Sequence, residues 1–264
     1  MPVAYGLEGV PVLVTGAASG ICRSIAETFA AVGAKVAVNH LRRPDDAAAV
    51  ANRIRSDGGT TLVLEADVTL AAQVAAMVAK TEHGLGPLDI LVNCAGVIQE
   101  KPFLETTEAD WDFVVGIDLK GVFQCCRAAL PGMVARGSGV VINIASELGF
   151  LGRAQYAPPQ YAPYCAAKAG MIGLTRSLAR EFAPRIRING IAPGPIDTEM
   201  LSSAYMSEAV LAKELEIPAG RFGRPGARCV PSLDVVTPAC LRSAPPNGGP
   251  APLRSGGRWT FPVL

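Results

Sequence analysis

Apolar residues along this 264-residue chain fall into short runs separated by longer stretches with a helical period. Val12 to Val14, Lys35 to Asn39, Thr60 to Ala66, Leu88 to Val92, Gly139 to Ile144 and Arg187 to Ile191 have the length and composition of buried strands. Between the first two, Ile25, Phe29 and Val32 share one stripe of a helix over about 21–32. Further helices are predicted over 45–56, from Thr69 as cap to about Glu82, over about 108–135, and from the Tyr164 region to about Phe182, where Pro184 halts the last. The 108–135 stretch puts Leu119, Val122, Phe123 and Cys126 on an apolar face, with Asp118 at its middle. Strands alternating with helices of these lengths predict an α/β fold: a doubly wound parallel sheet with helices on both faces. Five of the strands end in small, polar or glycine residues, and ligands of such sheets sit beyond the carboxyl ends of the strands.

Composition narrows the function more than the fold. Half the residues are hydrophobic, aromatics are few, and 24 Lys+Arg against 23 Asp+Glu leave a net charge of +1, which argues against a nucleic-acid partner. No run reaches the roughly 18 apolar residues of a membrane span, and the N-terminus lacks a basic region before an apolar one, so a cytoplasmic protein is expected. Seven cysteines with no C-x-x-C pair read as reduced, mostly buried thiols. His40 and His83 form no ligand cluster, so no metal is expected.

Three stretches bear on chemistry. Thr15-Gly16-Ala17-Ala18-Ser19-Gly20 joins the first strand to the first helix, the arrangement in which backbone N–H groups and a helix N-terminus cradle phosphate. Gly16 permits the tight turn and Gly20 close approach, although any sharp strand-to-helix turn can use glycine. The second strand ends in Asn39-His40-Leu41-Arg42-Arg43, with no carboxylate for a ribose 2′-hydroxyl. Arg42 there suits a 2′-phosphate and favours NADP(H) over NAD(H), which remains possible; a solvated basic loop is the plain alternative. Finally, Gln155 to Lys168 offers three tyrosines, of which only Tyr164 has a lysine four residues on. On a helix Tyr164 and Lys168 share a face. The cation favours phenolate, and lowering a phenol by about three pKa units corresponds to roughly 4 kcal/mol. Chance spacing with a packing role explains the pair equally well in isolation.

Taken in order, Thr15-Gly16-Ala17-Ala18-Ser19-Gly20-Ile21, Asp67-Val68, Asn93-Cys94-Ala95-Gly96, Ser146, Tyr164-Cys165-Ala166-Ala167-Lys168 and Asn189-Gly190-Ile191-Ala192-Pro193-Gly194 resemble a classical short-chain dehydrogenase/reductase over residues 7 to about 225. The resemblance implies a Rossmann-type NAD(P)-binding catalytic domain over 1–225 and hydride exchange between the cofactor and a secondary alcohol or ketone, such as a 3-oxoacyl thioester, a sugar or another small carbonyl compound. It implies Tyr164 as general acid or base, Ser146 on the substrate oxygen, and Lys168 lowering the tyrosine pKa and holding the nicotinamide ribose. Cofactor contacts are implied for Gly16, Ser19, Gly20, Ile21, Asp67, Val68, Asn93, Ala95, Gly96, Pro193, Gly194, Ile196 and Thr198. It also implies a homodimer or homotetramer.

Four departures from the pattern stand out. Cys22 replaces the last glycine of the turn. Asp118 stands where the family carries an asparagine of the proton relay, and weakened activity is expected. The near-repeat of Gln155–Pro159 in Gln160–Tyr164 lengthens the segment between Ser146 and Tyr164 by about five residues, an entropic cost of only tenths of a kcal/mol. Residues 226–258 are rich in Pro, Gly and Arg without a helical or strand period, leaving a seventh strand unsupported. An altered reading frame and a genuine disordered or partner-binding tail both account for that segment. Leu201 to Ile217 is expected to form an apolar lid or an ordinary surface helix pair.

Overall fold

The computed structural model describes residues 5–152, 161–202, 208 and 221–228. Its core is one parallel sheet in the order β3-β2-β1-β4-β5-β6. The strands are β1 (Pro11–Val14), β2 (Lys35–His40), β3 (Thr60–Glu65), β4 (Ile90–Asn93), β5 (Gly139–Ile144) and β6 (Ile186–Ile191). The chain builds outward from β1 in one direction, then returns to pair β4 on the other side of β1. Crossover helices α1 (Gly20–Ala31), α2 (Pro44–Ser56), α3 (Ala71–Leu85), α4 (Glu108–Val115), α5 (Gly121–Arg136) and α7 (Ala162–Phe182) cover the faces, with the short α6 (Leu148–Leu151) after β5. This is the Rossmann-type doubly wound arrangement, and the order reversal between β1 and β4 opens a crevice at their carboxyl ends.

The pleat assigns alternate strand residues to two cores. Val12, Val14, Ile90, Val92, Val140 and Ile142 pack with Ile25, Phe29, Val50 and Ile54 of α1 and α2. Leu13, Leu91 and Val141 face the other way, onto Met77 of α3, Met133 of α5 and Met171 of α7. Strands buried on both faces have no polar alternation, which is why they read as continuous apolar runs.

Several local expectations change. The predicted helix over 108–135 is two helices joined by a π-helical turn, Gly116–Lys120, and Asp118 lies in that turn. Val122 and Cys126 are buried, but Phe123 is about half exposed, because the turn rotates the stripe. Thr69 does not cap α3; its hydroxyl donates to Asp67 Oδ1 at 2.7 Å, and Leu70 occupies the cap position. Thr107 caps α4 in a reciprocal box with Asp110. Cys22 and Cys94 are joined by a disulfide, contrary to the expectation of reduced thiols. Cys125 and Cys126 are buried free thiols. Residues 155–160 of the near-repeat, the lid segment beyond Ser202 except Glu208, and the Pro/Gly-rich tail after Arg228 lie outside the described residues, whereas Ala162–Tyr164 of the second repeat unit open α7. Among the described residues no helix is long and apolar enough to cross a membrane, and no cluster of His, Cys, Asp or Glu could hold a metal ion.

Candidate active site

The crevice is a cavity of about 470 Å³ running along the carboxyl ends of the strands. Gly16, Ser19, Gly20 and Ile21 form one wall, Ala95 and Gly96 the opposite one, and Asp67 and Val68 one end. Ser146, Tyr164, Lys168, Pro193, Gly194, Ile196 and Thr198 surround the other. Gly16 has φ +68°, and a Cβ there would stand 2.8 Å from the Cα of Ala95, so only glycine fits between the walls. The turn is pinned from below. Asn39 Oδ1 accepts the Gly16 N–H at 3.1 Å, while its amide donates to the Leu64 and Ala66 carbonyls. Thr15 Oγ1 accepts the N–H groups of Cys94 and Ala95 at 2.9 and 3.1 Å, tying the turn to the end of β4. An elongated groove with bare backbone N–H groups at a helix start on one wall fits a dinucleotide.

At the far end four polar side chains converge on buried ground. The Tyr164 ring lies 5.5 Å from Lys168 Nζ, and the phenol hydrogen-bonds Ser146. The spacing of one helical turn in α7 presents Tyr164 and Lys168 together, and Pro163 in its first turn fixes where that helix starts. Lys168 Nζ donates to the Ile144 carbonyl at 3.0 Å and forms an ion pair with Asp118 Oδ1 at 3.0 Å. Asp118 is wholly buried, and its Oδ2 accepts the Val97 N–H at 2.9 Å. Gly96 is needed here too, since a Cβ would meet Asp118 Oδ1 at 2.6 Å.

The electrostatics differ from the expectation of a lowered tyrosine. Burial pushes the Tyr164 phenol up; Lys168 and the Ser146 hydrogen bond pull it down, Asp118 pushes it up, and the balance is a raised pKa. Burial likewise raises the Asp118 carboxyl against the pull of Lys168 and the Val97 amide. Burial lowers the Lys168 ammonium, but Asp118 and Tyr164 outweigh it and hold it above the ordinary lysine value. The lysine charge that should favour phenolate is therefore shared with a carboxylate.

These features meet their counterparts in known proteins. A family model described as short chain dehydrogenase matches residues 11–209. The chain belongs to the short-chain dehydrogenase/reductase family. It is therefore an oxidoreductase of CH–OH and keto groups. Over 213 residues it is 41% identical to the 3-oxoacyl-(acyl-carrier-protein) reductase FabG of Staphylococcus aureus, covering 80% of this chain and 84% of that protein. Over 214 residues it is 40% identical to nodulation protein G of Azospirillum brasilense, covering 81% and 85%. A short-chain type dehydrogenase/reductase from Mycobacterium marinum superposes with a TM-score of 0.83 at 34% identity, covering 90% of this chain and 92% of that one.

Within this short-chain dehydrogenase/reductase, two predicted cofactor residues lie elsewhere. Arg42 is exposed and does not line the cavity; Arg43 does. Arg42 adopts φ +55°, a left-handed conformation that turns the chain, so the following residue faces the groove. Arg43 Nη1 donates to Ser19 Oγ at 3.0 Å and to Glu199 Oε2 at 2.8 Å, while its Nε pairs with Asp46. Asn93 points into the sheet interior, donating to Asn143 Oδ1 at 2.8 Å and touching Cys126 Sγ. Asn143 in turn donates to Thr175 of α7, so this buried chain of amides braces β4 and β5 against the helix bearing Tyr164. Sequence reasoning missed Asn39, Arg43 and Glu199 as groove residues. The lack of a carboxylate at the end of β2 was visible, but not that Asn39 turns inward to hold the glycine turn.

Proposed function

We propose that this enzyme reduces the keto group of a 3-oxoacyl thioester, with NADPH as hydride source. The observation that carries the reading is the convergence of Ser146, Tyr164 and Lys168 at one end of a dinucleotide-sized groove whose wall holds Arg43. The similarity to a 3-oxoacyl-(acyl-carrier-protein) reductase supports the substrate class.

The nicotinamide, when bound, supplies the hydride. The Ser146 and Tyr164 hydroxyls hold the carbonyl oxygen in the orientation that directs its carbon toward the nicotinamide end of the groove. Tyr164 gives its proton to that oxygen as charge develops there, and the phenolate left behind is stabilised by Lys168. Lys168 also holds the ribose next to the nicotinamide. Ser19, Gly20 and Ile21 would hold the pyrophosphate with backbone N–H groups beside the close approach that Gly16 allows, and Asp67 and Val68 would border the adenine. Ala95 and Gly96 flank the ribose side. Pro193, Gly194, Ile196 and Thr198 border the nicotinamide amide. Arg43, in place of Arg42, takes the 2′-phosphate. In the reverse direction the phenolate removes the alcohol proton. The exposed apolar side chains of Trp111 and Phe113 on α4 and Phe123 on α5 support assembly as a homodimer or homotetramer.

The test is nicotinamide absorbance with an acetoacetyl thioester, simple ketones and keto sugars, each with NADPH and NADH. Fastest turnover with the thioester and NADPH is expected; preference for a sugar or simple ketone, or equal use of NADH, would contradict the reading. A second reading, a dinucleotide-binding protein of low turnover, is favoured by one observation, the Asp118–Lys168 ion pair. It predicts NADPH binding by calorimetry without carbonyl-dependent NADPH loss.

A further inference from the structure

We infer that Cys22 and Cys94 form a thiol–disulfide exchange site whose oxidation state sets the affinity of the groove for its dinucleotide. Cys22 lies in the first turn of α1 and Cys94 directly after β4, so the bond joins the two walls between which the pyrophosphate is proposed to lie. Their Cα atoms are 5.6 Å apart, inside the range that a disulfide spans without moving the backbone. Both residues line the cavity.

Cys22 is more accessible than Cys125 and Cys126. Burial pushes Cys125 and Cys126 up to about 12, which leaves them inert near neutral pH. Cys22 is partly exposed at the start of a twelve-residue helix, where an external disulfide can reach it. The reactant is a low-molecular-weight disulfide such as oxidised glutathione. The Cys22 thiolate attacks one of its sulfurs and expels one thiolate, giving a mixed disulfide; Cys94 as thiolate then attacks Cys22 Sγ and expels the second. The two protein thiols lose two electrons and two protons, and the external disulfide gains them and leaves as two thiols. A dithiol reverses the exchange.

Bonded sulfurs lie about 2.05 Å apart, whereas two thiols need well over 3 Å. The walls cannot move apart freely, because Thr15 Oγ1 ties the turn to Cys94 and Ala95. On reduction the thiols therefore rotate toward the open side, which is the groove, and narrow it where the pyrophosphate would sit. The oxidised form binds the dinucleotide more tightly. By linkage, bound dinucleotide protects the disulfide from reduction.

This inference rests on the dinucleotide reading of the groove. The experiment takes the full chain after oxidised glutathione and after dithiothreitol, counts thiols under denaturing conditions, and measures NADPH and NADH affinity by calorimetry. Expected are two fewer thiols in the oxidised sample and at least a several-fold tighter dissociation constant. In the Cys22→Ala/Cys94→Ala protein affinity no longer responds to either treatment. An unchanged thiol count, equal affinity in both states, or a response that persists in the double variant would overturn the inference while leaving the dinucleotide reading intact. Failure of both samples to bind either dinucleotide would overturn the two together.

Discussion

Replacing Asp118 by Asn removes one negative charge from beside the proposed proton donor at nearly constant volume. In the wild type Asp118 Oδ1 lies 3.0 Å from Lys168 Nζ, which lies 5.5 Å from the Tyr164 ring centre. The carboxylate is therefore within about 8.5 Å of the ring centre, and at an effective dielectric of about 20 its repulsion of a charge there is about 2 kcal/mol. That corresponds to roughly 1.5 pKa units. Burial and Asp118 both raise Tyr164, so Asp118→Asn lowers it. Alcohol oxidation needs phenolate, so its rising pH limb should move to lower pH by about one to two units. Ketone reduction needs the phenol, and its falling limb should move the same way. Near neutral pH, turnover should rise as the phenol becomes a readier donor. The assay is the pH dependence of kcat in both directions. Thermal melts across the same pH range separate this effect from the loss of a buried ion pair, which by itself costs a few kcal/mol. A limb that stays in place, or moves upward, in a protein that remains folded would refute the charge argument.

Other residues give sharper or simpler tests. Arg43→Ala should weaken NADPH binding by about tenfold and leave NADH nearly unchanged, since a charged hydrogen bond to a partly exposed group is worth about 1.4 kcal/mol; Arg42→Ala should do neither, as read by calorimetry. Glu199→Gln removes a carboxylate that pairs with Arg43 where the 2′-phosphate would bind. Because the pair is exposed, the gain in NADPH affinity should be small, about two- to fivefold, and absent for NADH. Gly16→Ala should abolish dinucleotide binding in a calorimetric titration, because its Cβ meets the Ala95 backbone at 2.8 Å in a left-handed conformation.

Much of the fold is legible from periodicity because the strands are buried on both faces, so each appears as an unbroken apolar run between helical stripes. Tyr164, Lys168 and Ser146 are legible as well: the first two need only a helical register, and motif order supplies the third. What escaped depends on conformation that periodicity does not encode. The left-handed Arg42 brings Arg43 rather than itself to the groove. The π-turn at Gly116–Lys120 turns Asp118 inward and Phe123 outward on what reads as a single stripe. Asn93 belongs to a strand-end motif, yet its side-chain amide donates within the sheet, to Asn143. Cys22 and Cys94 are 72 residues apart and meet only because β1 and β4 are neighbours, a pairing that spacing alone could not reveal.

In the proposed mechanism Tyr164 moves the proton while the groove independently holds the dinucleotide. Tyr164→Phe tests it most directly, with NADPH affinity measured by calorimetry and acetoacetyl-thioester-dependent NADPH loss measured on the same sample. Near-wild-type affinity is expected, with turnover reduced by roughly 100-fold or more. Turnover close to wild type, with binding intact, would place the proton donor elsewhere and contradict the account.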